Sequence, residues 1–129
     1  MNWQAVIVVV GICTELARLD PNIPRPPLPA DAPSLAQAEA IWQEWVEALS
    51  LGDEAALRRL IHSSRRQLFT GPPSPDLAYE LGFCKPQQPV LRTGEDEVAY
   101  CLVCEGGEER VEELFYLRRD LDGVWRIRP

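Results

Sequence analysis

A single histidine, His62, is all that this 129-residue chain offers in imidazole chemistry. General acid–base catalysis needs such a group beside a hydrogen-bonding partner. No aspartate substitutes for it on the apolar strands, because Asp96, Asp120 and Asp122 all fall in turns. Positive charge is scarce as well: 13 Lys and Arg stand against 20 Asp and Glu, a net charge of −7. A nucleic-acid-binding protein needs a basic face to neutralise phosphates, so this balance argues against nucleic acid as a partner. Long apolar runs are missing too. The N-terminal stretch Ala5–Cys13 has nine residues, whereas a bilayer span takes roughly 20.

What is present describes a globular domain, with 46% apolar and 26% charged residues in a length that suits one unit. The proline count is high at 12. Six of these residues (Pro21, Pro24, Pro26, Pro27, Pro29 and Pro33) crowd one segment. Each lacks an N–H and fixes φ, so the segment reads as a semi-rigid extended linker. The chain therefore divides into residues 1–33, an apolar segment plus linker, and residues 34–129, the folded domain. Two readings of residues 5–13 stand side by side. One is a targeting segment that associates with a membrane and places the protein in a bacterial envelope or periplasm. The other is a strand or helix packed on the domain. The flanks favour neither strongly, since "MNWQ" carries no base and Ile12 before Cys13 departs from a lipoprotein processing site.

From Ser34 the apolar period is helical. Leu35, Ala38, Ile41, Trp42, Trp45, Val46 and Leu49 form one stripe. Ser34 with Gln37 makes a capping box, and Gly52 stops the helix. Asp53 caps a second helix that buries Ala56, Leu57, Leu60 and Ile61. A third turn passes through Arg65–Phe69, and Ser74, Pro75 and Gly82 frame another helix. From Pro89 the period becomes two. Val90–Thr93 is a short strand, and Val98–Cys104 is apolar on both faces and therefore central. A strand within Glu109–Arg119 follows, and Val124–Arg128, after the Asp-Gly turn, closes an antiparallel meander with Trp125 and Ile127 toward the core. The fold class is α+β, with N-terminal helices packed on a curved antiparallel sheet.

Two stretches resemble the nuclear transport factor 2-like (cystatin-like) superfamily: "IWQEWVEALSLGDEAALRRLI" at residues 41–61 and "ELFYLRRDLDGVWRI" at residues 113–127. "HSSRRQLF" at residues 62–69 is similar to the third-helix entry of small bacterial members. The resemblance implies a cone-like, cystatin-like roll that often dimerises through its sheet. Its members range from isomerases and dehydratases to accessory domains without activity, so function must come from the site.

Several side chains qualify as site residues. Trp42, Trp45, Tyr79, Tyr100, Tyr116 and His62 are the candidates to line a cone pocket for a small apolar ligand. His62 at a helix end also suits carbonyl capping. Cys101 and Cys104 do not form a zinc knuckle, because residues three apart on a strand face opposite ways. They read as buried apolar cysteines, with a bridge from Cys84 to one of them if the protein is exported. The acidic run Glu95–Glu113 reads as a solvated hairpin, and Arg58, Arg59, Arg65 and Arg66 as a solvated helix face rather than an anionic-partner patch. No metal, cofactor or catalytic residue is expected. The expected function is non-catalytic binding of a small molecule or protein. A small isomerase- or dehydratase-type enzyme and a structural dimerisation module are the alternatives.

Overall fold

The structure is a computed structural model that describes residues 13, 25–69 and 75–129. Its elements run α1 (Leu35–Leu51), α2 (Glu54–Leu60), a 3-10 helix (Ser63–Leu68), α3 (Pro75–Leu81), β1 (Cys84–Gly94), β2 (Glu97–Gly106), β3 (Glu109–Arg119) and β4 (Trp125–Ile127). The fold is α+β, with the helices preceding an open antiparallel sheet in the order β1-β2-β3-β4. A parallel bridge from Ile61 to Ile127 ties the end of α2 to β4.

Local chemistry sets the element ends. Ser34 Oγ accepts from the Gln37 N–H while the Gln37 side chain accepts from the Ser34 N–H, which satisfies two orphan donors of α1. Gly52 ends α1 at φ 64°, a left-handed conformation that would strain a side chain there. Asp53 follows at once and accepts from the Ala56 N–H, so α2 starts as α1 stops.

β1 is longer than the alternation predicts. It begins at Cys84 rather than at Val90, and Pro86 is fully buried in register with Leu102. The prolines disguise it. They are tolerated because β1 is an edge strand with a shift in register between Gln87 and Val90.

β2 and β3 are interior, and every residue of Val98–Cys104 is buried. The even positions Val98, Tyr100, Leu102 and Cys104 join Trp42, Val111, Phe115, Leu117 and Ile127 in the main core. There the Trp42 and Phe115 rings meet edge to face at 5.1 Å. Trp42 Nε1 donates to the Cys84 carbonyl at 3.1 Å, which joins helix to edge strand. The Tyr100 hydroxyl donates to the Pro33 carbonyl at 2.5 Å, and burial pushes its pKa up to about 12. A second cluster of Ala48, Leu49, Leu57 and Ala78 packs the helices on one another. The odd positions Cys101 and Val103 form a third cluster with Cys13 on the opposite face of the sheet.

All four cysteines are bridged: Cys13 to Cys101 and Cys84 to Cys104. The opposite facing of Cys101 and Cys104 holds, but neither is a free apolar cysteine, because each finds a partner on its own face. The division after residue 33 is crossed by the Cys13 bridge and by polar contacts. Asp31 takes both oxygens to Arg119 at 2.7 Å, and the Pro27 carbonyl accepts from Arg92. Glu112, expected in a solvated hairpin, is buried; it accepts from the Cys13 N–H at 3.0 Å and pairs with Arg110. Apart from Cys13, the apolar segment assigned to membrane association or to a packed strand or helix lies outside the described residues.

Ile127 is buried as the alternation requires, whereas Trp125 is half-buried, donating Nε1 to Asp31 with the Arg119 guanidinium 5.6 Å from its ring. Trp42→Ala should therefore cost about 3–5 kcal/mol in urea unfolding, and Trp125→Ala distinctly less. The bridges should also differ. Cys13–Cys101 spans 88 residues and Cys84–Cys104 spans 20, so loop entropy makes the first more stabilising by about 1.3 kcal/mol. Urea midpoints of the paired Cys→Ala variants, with peptide mapping of the bridges, check this.

Candidate functional site

The end of α2 brings His62 against the β3–β4 turn. The His62 N–H donates to the Ile127 carbonyl at 2.8 Å. Nδ1 accepts from the Ser64 N–H at 3.1 Å and lies 2.8 Å from Ser64 Oγ. Nε2 therefore carries the ring hydrogen and faces the Arg119 carbonyl at 3.2 Å. Both nitrogens of this buried ring are committed, one of them to capping the 3-10 helix. His62 is thus part of the frame.

Asp120 organises that frame. Its carboxylate accepts from Ser63 Oγ at 2.6 Å, the Ser63 N–H at 2.9 Å, the Leu121 N–H at 2.9 Å and Arg126 Nη1 at 3.0 Å. His62 Nε2 lies 3.7 Å and Arg66 Nη2 3.9 Å away. Burial by itself opposes its charge, but the Ser63 and Leu121 hydrogen bonds outweigh burial and hold the carboxyl far below its ordinary range. Asp122, beside it, is lowered to about 2, chiefly by its hydrogen bond from Arg126. A carboxyl depressed in the folded state contributes fully above its unfolded pKa of about 4 and loses that contribution as pH falls toward the folded value. Asp120→Asn should therefore lower stability by about 3 kcal/mol at pH 7. It should also flatten the acid limb of melting temperature below about pH 4. Thermal melts at stepped pH test both.

The most site-like surface lies at the other end of the sheet. Gly82 ends α3, and the Phe83 carbonyl accepts from the Glu105 N–H at 3.2 Å, which pins Phe83 to the end of β2. The Cys84–Cys104 bridge immediately follows. On this rigid mount Phe83 is 46% exposed and Tyr79 is 74% exposed, and their rings meet edge to face at 5.2 Å. Two open cavities share Phe83. One, of about 500 Å³, lies between α1 and the start of β1 and is lined by Glu39, Trp42, Val46, Glu47, Phe83 and Lys85, among others. The other, of about 300 Å³, is lined by Tyr79, Glu80, Phe83, Cys104 and Glu109 with Gly106 and Gly107. Four carboxylates rim the pair, and Lys85, their one lysine, sits 3.4 Å from Glu39.

The six expected pocket residues do not converge. Trp42 lines the larger cavity and Tyr79 the smaller. Tyr100 is wholly inside the core and Trp45 packs between two core clusters. Tyr116 lies on the opposite face under the Arg128 guanidinium, 4.1 Å from its ring. The physical reason is packing: Trp42, Tyr100 and Phe115 fill the space between α1 and the sheet where a cone pocket would open. Phe83 escaped notice in the sequence. Its signal was an aromatic directly after a helix-stopping glycine and four residues from Tyr79. Among the described residues no group of three or more His, Cys, Asp or Glu is placed to hold a metal, and no helix is long and apolar enough to cross a membrane.

No family model and no curated protein matches the sequence. Among solved structures, the chain is similar to a SEC-C motif containing protein from Rhodopseudomonas palustris, at 18% identity over 75% of this chain and 79% of that one, with a TM-score of 0.40. The comparisons return no nuclear transport factor 2-like protein, so the resemblance of residues 41–61 and 113–127 to that superfamily, and the cystatin-like label with it, is withdrawn. The matching motifs were a Gly-Asp helix break and an Asp-Gly hairpin, local devices that many α+β domains use.

Proposed function

We propose that this chain is a non-catalytic protein-interaction domain whose docking surface is the pair of cavities flanking Phe83. The exposed Tyr79–Phe83 pair on its disulfide-fixed mount carries the reading. An exposed aromatic held rigid costs little entropy to engage, and such residues dominate binding energy at interfaces. The carboxylates Glu39, Glu47, Glu80 and Glu109 favour an occupant with positive charge. The occupant is accordingly a peptide segment that places an apolar side chain on each side of Phe83, flanked by Lys or Arg. The two bridges support a setting outside the reducing cytosol, such as a bacterial envelope.

A displayed random-peptide library panned on the oxidised chain should yield sequences that pair aromatic or aliphatic residues with Lys or Arg. Phe83→Ala should weaken the selected peptides by about 30-fold, the scale of an interface hot spot, while leaving the melting temperature near wild type. Acidic consensus sequences, or peptides indifferent to Phe83→Ala, would count against the reading.

A further inference from the structure

Arg126 reaches across from β4 to the end of α2, where Arg58, Arg59 and Arg66 already stand, and the four guanidiniums line one shallow cavity of about 250 Å³. The three helix-side arginines read from sequence as a solvated face; the contribution of β4 turns that face into a concavity. In an acidic chain this gathering is unusual, and like charges hold together only where something fixes them.

Here the backbone does. Arg66 Nε donates to the Arg58 and Ile61 carbonyls at 3.0 and 3.1 Å, and Arg126 Nε donates to the Arg59 carbonyl at 3.1 Å. Asp122 holds both Nη atoms of Arg126 at 2.7 Å, and Asp120 its Nη1 at 3.0 Å. Glu54 holds Arg58 at 2.9 Å, and the Phe69 ring lies 5.2 Å from the same guanidinium. Arg59 is exposed, and among the described residues its guanidinium has no ion pair. Against the carboxylates Glu54, Asp120 and Asp122, the four arginines keep a single positive charge in excess.

Carbonyl anchoring at Nε positions the Arg66 fork, which lines the cavity with Nη2 3.9 Å from Asp120. A planar fork suits an oxyanion with several acceptor oxygens. We infer that this cavity is a binding site for phosphate, free or as a phosphomonoester, gripped by Arg59 and Arg66 and bordered by Arg58 and Arg126. It is separate from the Phe83 surface and independent of the function proposed there.

The test titrates inorganic phosphate into the full-length oxidised chain at constant ionic strength, against chloride, and follows the arginine Nε–H resonances. Saturable shifts centred on Arg59 and Arg66 are expected with phosphate and absent with chloride. Arg59→Gln, an exposed substitution that leaves the fold intact, should weaken phosphate about tenfold, the scale of one charge-assisted interaction. Arg66→Gln should do the same, and Arg65→Gln should change nothing. If Arg66→Gln loosens the α2 end, seen as a lowered melt, Arg59→Gln alone decides. A linear response shared with chloride, or saturation that survives Arg59→Gln unchanged, overturns the inference. A phosphoserine methyl ester titrated in the same way separates the sources: tighter binding than inorganic phosphate assigns the site to a phosphomonoester, and weaker binding assigns it to the free ion.

Discussion

A strand that is apolar on both faces has to be covered twice, and β2 imposes that demand on everything around it. Val98–Cys104 leaves no side for water. α1 covers one face with Trp42 and Ala38, and Cys13, bridged to Cys101, packs on the other. The flanking strands follow from the same demand, since an interior position supplies hydrogen-bonding partners on both edges. The short β4 then gives Ile127 to the core and its bridge to Ile61, which anchors α2 and the His62–Asp120 frame.

This arrangement sorts the polar groups. Buried ones sit where a partner is fixed in advance: Asp120 between Ser63, Leu121 and Arg126, and Glu112 between the Cys13 N–H and Arg110. Such groups specify one geometry because each would be costly to bury alone. The surface left for partners lies at the ends of the sheet. There Phe83 and the arginine quartet stand at opposite poles of charge.

The helices were legible because their signals are local. A capping box, a glycine stop and an apolar stripe each need only neighbours along the chain, and α1 matches all three. β2 was legible for the same reason: uninterrupted apolar residues at period two leave no other role. β1 was legible only from Val90, since Pro86 and Pro89 mask a first half that only its edge position permits. The candidate site was less legible still. Tyr100, Trp45 and Tyr116 look alike in sequence, yet one is core, one joins two clusters and one lies on the far face. The partner that decides among such fates lies far along the chain, as Arg126 does for the α2 arginines.

The pairing of the cysteines has a consequence for biogenesis. During synthesis or export from the N-terminus, Cys13 emerges first and Cys84 second, well before Cys101 and Cys104. An oxidant acting in order of appearance would join Cys13 to Cys84. The native arrangement instead gives each of these its partner from β2. Oxidation must therefore wait until the β1–β2 hairpin forms, or an early wrong bridge must be exchanged, a reaction of seconds to hours that isomerases accelerate. A host lacking such an isomerase would accumulate a mispaired form whose β2 is cross-linked on neither face.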